Sequence, residues 1–236
     1  MRRQIVHHTI TTDKVTKPVT FAVVSDLHNG AYQDILPALH QADAILIPGD
    51  LINRHRKGYA NAVGFLTDAP RIAPTYYAIG NHEWKFKQRD EYWPHVLNSA
   101  VTVLDNTAAP FGEILLGGFS SAEVPLTSFV KGFAAHSGFK LLMCHHPEYY
   151  RPYVQPYDVD LTIAGHAHGG QIQLFGQGLY APGQGLLPRL THGFYADGRL
   201  LVSRGMTNSA YAPRLWNPCE LLLVHITPRT GDASHA

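Results

Sequence analysis

Only two cysteines occur in the 236 residues, Cys144 and Cys219. That is too few for the disulfide framework that staples small secreted domains. Each lies in an apolar run, Leu141-Leu142-Met143-Cys144 and Cys219-Glu220-Leu221-Leu222, so both are expected to be buried, reduced thiols. Charge is sparse as well. Charged residues make up 16% and the formal net charge is +1, which excludes a chain-wide polybasic surface and points to no specific nucleic-acid partner. No uninterrupted apolar run approaches the ~20 residues of a membrane span. The start, Met1-Arg2-Arg3, is basic, but no apolar h-region follows it, so it does not read as an export signal. The expectation is a cytoplasmic protein without a transmembrane segment, with peripheral attachment to a membrane surface left open.

Hydrophobic residues, at 45%, are sufficient for a sizeable core. No linker, repeat or low-complexity tract divides the chain, so a single domain over 1–236, with its core at about 19–227, is expected. Histidine is abundant, at fifteen. His7, His8 and His235 lie near the termini and read as solvated bystanders. Several others fall beside Gly, Asp or Asn at the ends of apolar runs.

Val19 to Ser25 is β-branched and apolar without clean alternation, the pattern of a strand covered on both faces. It ends at Asp26-Leu27-His28, and apolar spacing predicts a helix over 32–42, weakened by Pro37. The run 43–48 ends at Gly49-Asp50 before a predicted helix at 59–67. The run 74–79 ends at Gly80-Asn81-His82-Glu83 before another helix near 90–97. Three strand–turn–helix units in succession imply parallel crossovers. The second half reads as richer in strands, at 101–104, 113–118, 140–144, 161–164, 200–203 and 220–226. Two of these run into His145-His146-Pro147 and Gly165-His166-Ala167-His168. The Gly/Pro/aromatic stretch 174–195 is expected to form hairpins whose aromatic residues pack locally on a sheet edge, the alternative being a substrate loop that covers a nucleotide or a lipid tail.

In open α/β sheets, functional groups collect beyond the carboxyl ends of strands. Five predicted strand ends here carry carboxylate, carboxamide and imidazole but no thiolate, a donor set suited to Mn, Fe, Zn or Co. The i, i+2 spacing of Asp26-x-His28 and His166-x-His168 lets both side chains leave on one side. Taken alone, either motif also describes an ordinary loop histidine. Five in order, each ending a strand, favour a metal site.

Together, Asp26-x-His28, Gly49-Asp50, Gly80-Asn81-His82-Glu83, His145-x-Pro147 and Gly165-His166-x-His168 resemble the signature of the calcineurin-like metallophosphoesterases, over about residues 19–227. The run Gly165 to Ile172 and the late Pro213-Arg214 are similar to the bacterial branch of YkuE- and YaeI-type phosphodiesterases. That branch also includes a hydrolase of UDP-diacylglucosamine. The resemblance implies an α/β fold, a four-layer α/β/β/α sandwich with two mixed β-sheets. It implies two divalent metal ions, with Asp26, His28 and His168 on one, Asn81, His145 and His166 on the other, and Asp50 bridging them. His145 is preferred to His146 because the family places the ligand two residues before proline. His82 is implied as the catalytic residue, donating a proton to the leaving oxygen or stabilising the transition state as imidazolium. Arg54 and His146 are candidate substrate-binding residues, and Glu83 reads as a partner of nearby backbone.

The implied activity is hydrolysis of a phosphodiester or pyrophosphate bond by a metal-bridging hydroxide, on a nucleotide or lipid-linked phosphoester. The alternatives are a lipid-linked diphosphatase at a membrane surface, of UDP-diacylglucosamine hydrolase type, and a catalytically silent binding scaffold, a role that a retromer subunit gives this fold. One departure stands out. Phosphoprotein phosphatases of the superfamily carry an Asp three residues after the bridging Asp, which orients the catalytic His. Here that residue is Asn53. The departure argues against protein phosphatase activity and leaves His82 without an assigned orienting group.

Overall fold

The computed structural model describes residues 3–121, 125–208 and 213–229; His235 lies outside them. The strands in chain order are β1 (Gln4–Thr12), β2 (Val19–Val23), β3 (Ala44–Ile47), β4 (Thr75–Ala78), β5 (Thr102–Leu104), β6 (Thr107–Phe111), β7 (Ile114–Phe119), β8 (Phe139–Cys144) and β9 (Leu161–Ala164). Then follow β10 (Gln173–Leu174), β11 (Gln177–Gly178), β12 (Tyr180–Ala181), β13 (Gly185–Leu186), β14 (Gly193–Tyr195), β15 (Leu200–Val202) and β16 (Glu220–Pro228). The α-helices are α1 (Leu36–Leu39), α2 (Ala60–Ile72), α3 (Asn81–Trp84), α4 (Arg89–Leu97) and α5 (Thr127–Ala134).

Two six-stranded mixed sheets dominate. One has the order β1-β16-β2-β3-β4-β5, the other β14-β15-β9-β8-β7-β6. Strands β2, β3, β4 and β5 run parallel, as do β7, β8, β9 and β15.

Why the central strands read as continuous apolar runs is plain from their two faces. On β3, Ala44 and Leu46 enter the core between the sheets, while Ile45 and Ile47 pack under the helices with Phe65 and Leu66 of α2. On β8, Leu141 and Met143 join the same inter-sheet core, and Leu142 and Cys144 face Val130 and Phe133 of α5. Helices outside both sheets and a shared core between them make the expected α/β/β/α layering. Both cysteines are buried and neither forms a disulfide.

Several expectations are corrected in detail. Residues 32–42 hold a short 3-10 turn (Gln33–Ile35) and the four-residue α1 rather than one helix, with Pro37 in the first turn of α1. Helix α2 extends to Ile72, through Pro70. The N-terminal residues, read only as a basic start, form β1, parallel to β16. His7 and His8 are therefore not bystanders. His7 Nδ1 lies 3.0 Å from His225 Nε2, and His8 meets the Phe194 ring edge-on at 4.9 Å. Among the described residues, no helix is long and apolar enough to cross a membrane.

Candidate metal centre

The C-terminal ends of β3, β4 and β9 open toward a cavity of about 250 Å³, lined by Asp50, Asn81, His82, His166 and His168 among others, while Asp26, His28 and His145, which follow β2 and β8, cluster with Asp50. The turns that carry these residues are tight. Asp26, His28, Asp50, His166 and His168 all have positive φ, between 47° and 66°, a region that non-glycine residues enter rarely and that concentrates at functional sites. The common direction of Asp26 and His28 thus comes from left-handed turns rather than from strand alternation. Leu27 between them is buried in the helix-side core, as expected. Glycine is required where the turns touch. A side chain on Gly49 (φ 119°) would press on His145 Nδ1 at 2.7 Å, and one on Gly80 would collide with the Asp50 carboxylate.

Three ligand atoms form a compact triangle. His28 Nε2 and His168 Nε2 are 3.3 Å apart, and Asp26 Oδ1 lies 3.7 Å from the first and 3.5 Å from the second. A cation with bonds of about 2.0–2.2 Å sets its ligand atoms roughly 3.0–3.4 Å apart, close to these edges. Asp50 Oδ2 sits 3.1 Å from His145 Nε2, 3.8 Å from His82 Nε2 and 3.9 Å from His28 Nε2. Asp50 is the hub: it groups with His28 and His82 on one side, and with Asp26 and His145 on the other.

The donor set fits cations better than it fits an ordinary polar core. The Nδ1–H groups of His28 and His145 point at the carbonyls of Ile52 (3.2 Å) and Pro48 (3.1 Å). Both rings therefore turn an Nε2 lone pair inward, the arrangement typical of metal-bound histidine. His145 Nε2 and Asn81 Oδ1 are buried without a hydrogen-bond partner, which is costly unless something electropositive meets them.

The buried carboxylates and imidazoles strongly perturb one another. Burial alone would raise the carboxyls, yet the surrounding imidazoles hold Asp26 below its usual range, with His168 foremost, and hold Asp50 well below it, with His145 foremost. Burial opposes charging His145, but Asp50 and Asp26 push it up to about 9. Burial takes His168 down to about 4 and His82 down to about 3.

His82 also lines the cavity, and the structure supplies its orienting group. The Arg54 backbone N–H donates to His82 Nδ1 at 3.0 Å, so the neutral ring carries its proton on Nε2, the atom nearer Asp50. Asn53 is occupied elsewhere, its Oδ1 accepting from the His55 N–H at 3.0 Å. Glu83 is a backbone clamp, as expected. Its carboxylate accepts from the N–H groups of Gly80 (2.9 Å), Asp50 (3.0 Å), Leu51 (2.7 Å) and Ile52 (3.3 Å).

His146 stacks on His166 at 4.2 Å, with ligand atoms near those of His145 and His166. The Arg54 side chain lines the cavity and donates to His55. Sequence patterns gave no hint of His55, which meets His82 edge-on at 5.4 Å. Nor did they suggest Asn217, whose amide donates to the His168 carbonyl at 2.7 Å while Arg214 donates to the Asn217 carbonyl at 3.1 Å. The 174–195 stretch has the expected hairpins but departs from the expected packing. It forms the small hairpins β10–β11 and β12–β13, Tyr180 and Pro182 reach the cavity, and Phe175, Leu186 and Leu187 are exposed instead of packed.

The chain is 28% identical over 229 residues to an uncharacterized metallophosphoesterase of Campylobacter jejuni, covering 89% of this chain and 59% of that protein. It is 24% identical over 250 residues to an uncharacterized metallophosphoesterase of Helicobacter pylori, covering 97% and 65%. The chain thus spans about three-fifths of the length of these two relatives. A solved metallophosphoesterase from Sphaerobacter thermophilus superposes with a TM-score of 0.35 at 18% identity, over 63% of this chain and 60% of that one. The family model described as calcineurin-like phosphoesterase matches residues 19–170, and the chain belongs to that family.

Proposed function

We propose that the chain is a dinuclear metal-dependent phosphohydrolase that cleaves a phosphodiester or pyrophosphate bond, and that it is not a protein phosphatase. The observation that carries this reading is the clustering of Asp26, His28, His145 and His168 about Asp50, beside a cavity that Asp50, Asn81, His166 and His168 line. In the proposed arrangement Asp26, His28 and His168 hold one cation, Asn81, His145 and His166 the other, and Asp50 touches both. Two bound divalent cations, of Mn, Fe or Zn type, supply Lewis acidity toward phosphate oxygens and lower the pKa of bound water toward ~7.

The chain's own groups do the rest. Asp50 keeps two like charges close by placing a carboxylate between them. His82 presents Nε2–H to the leaving oxygen and acts as a neutral hydrogen-bond donor. An imidazolium would carry a second proton on Nδ1, aimed at the Arg54 N–H, so that alternative is disfavoured. With Asn53 turned away and a backbone donor at Nδ1, the carboxylate–histidine pair of the protein phosphatases has no counterpart, which supports a diesterase reading. The Gly165-to-Ile172 run supports a place near the YkuE- and YaeI-type branch. The core shared by both sheets supports treating the chain as one domain. The test is hydrolysis of bis-p-nitrophenyl phosphate with added Mn²⁺, abolished by a chelator and restored by metal; inactivity with every divalent metal contradicts the reading.

A second reading, a lipid-linked diphosphatase at a membrane surface, has its own observation. Phe175, Leu186, Leu187 and Trp216 are exposed on segments tied together near the cavity. A cavity of about 740 Å³, lined by Leu186, Leu187 and Leu190 together with Arg151, Arg189 and Gln184, adjoins the centre through Glu148, whose Oε1 is 3.8 Å from His166 Nε2. Exposed patches of this kind mark interaction surfaces. This reading expects the protein to co-sediment with phosphatidylglycerol vesicles and Phe175→Ser with Trp216→Ser to lose that binding. Wild-type protein left in the supernatant ends it.

A further inference from the structure

A second cavity, of about 270 Å³, lies beside the metal centre, and its lining has a different chemistry. Arg56 and Lys57 line it together with Asn29, Asn53, Thr207 and Asn208, and no carboxylate among the described residues does. His28 lines it too, which joins it to the metal cluster, and Arg56 lines both cavities. Part of the wall between them is a hydrogen bond of 2.8 Å from Gln171 to Asn208.

The cations here are not neutralised. Arg56 and Lys57 make no side-chain hydrogen bond or ion pair among the described residues. Asn53 engages its carbonyl oxygen with the His55 N–H and lines the cavity. The loop that carries these groups is braced along its length. Arg56 N–H donates to the Asn53 carbonyl at 3.2 Å, Gly58 N–H to Gln88 at 2.9 Å, and Asn29 to the Gly58 carbonyl at 3.2 Å. Arg56 and Lys57 are exposed side chains on a braced backbone, and cations so placed, without a competing carboxylate, recognise a phosphoryl group through charge-assisted hydrogen bonds.

We propose that this cavity is a second-phosphoryl subsite. While the metal centre holds the phosphorus under attack, Arg56, Lys57 and Asn53 hold the neighbouring phosphoryl group. The preferred substrate class is then a diphosphate bridge between two organic groups rather than a simple diester. This inference rests on the proposed phosphohydrolase function and selects between its two bond types.

Calorimetry on the Mn²⁺-loaded full chain compares α,β-methylene-ADP, which carries two adjoining phosphoryl groups, with AMP, which carries one. The subsite predicts at least tenfold tighter binding of the first, and predicts that Arg56→Gln with Lys57→Gln removes most of that preference. Equal affinity in the wild type, or a preference kept by the folded double variant, overturns it. Should the double variant fail to fold, Lys57→Gln alone is expected to reduce the preference at least threefold, and an unchanged ratio again overturns the subsite. The readout is binding, so inactivity toward bis-p-nitrophenyl phosphate contradicts the phosphohydrolase function and leaves this comparison to judge the subsite separately.

Discussion

The proton on His82 is placed by a backbone amide. Because Arg54 N–H reaches Nδ1, the ring offers Nε2–H to the cavity without any side-chain carboxylate behind it. His82 Nε2 also stands 3.8 Å from Asp50 Oδ2 and groups with His28 and Asp50 as a conceivable ligand. The two roles separate experimentally. As a hydrogen-bond donor to the leaving oxygen, His82 contributes about 10²–10³ in rate, so His82→Ala loses that much kcat while mass spectrometry finds both metals retained. Metal lost with the imidazole would place His82 among the ligands instead. At this scale the sequence was informative about identity and poor about orientation. Asp26, Asp50 and His145 stood out as polar groups at the ends of apolar runs. The donor to His82 did not, because a backbone amide leaves no mark in residue type, and neither did His55, which looks like any loop histidine.

At the scale of elements, short turns after β2, β3 and β4 determine where the ligands point, and Glu83 ties two of those turns together. Its four backbone N–H partners span the start of α3 and the turn after β3. Glu83→Gln replaces one accepting oxygen with a donor facing N–H groups. From the worth of hydrogen bonds to a charged acceptor and the penalty for unpaired buried groups, the loss is about 2–4 kcal/mol. Urea unfolding of the metal-free protein measures it, and a change within about 0.5 kcal/mol would mean that Glu83 does not hold the turns. Parallel strands buried on both faces were legible from their β-branched runs. Strand β1 was not, because Gln4–Thr12 keeps exposing alternate residues at a sheet edge and carries two histidines that resemble a solvated start. Helix α5 was also missed; it is only eight residues long, and its glycine lowers helix propensity.

For the whole molecule, two sheets bring the carboxyl ends of strands from distant parts of the chain to one edge, so a site assembled from residues 26 to 168 needs no long loop to carry it. The layering was legible from the resemblance, and the crossovers from the strand–turn–helix rhythm. The exposed apolar segment near Phe175 was not, since Gly-rich aromatic stretches more often pack on themselves. The central claim is that Asp50 stands between two cations. Anomalous diffraction from crystals grown with Mn²⁺ tests it most directly, in the wild type and in Asp50→Asn. The account predicts two full-occupancy peaks flanking Asp50 in the wild type, about 3.5–4 Å apart as in two-metal hydrolases, and depletion of both in the variant. A single peak in the wild type, or two undiminished peaks in Asp50→Asn, would contradict it.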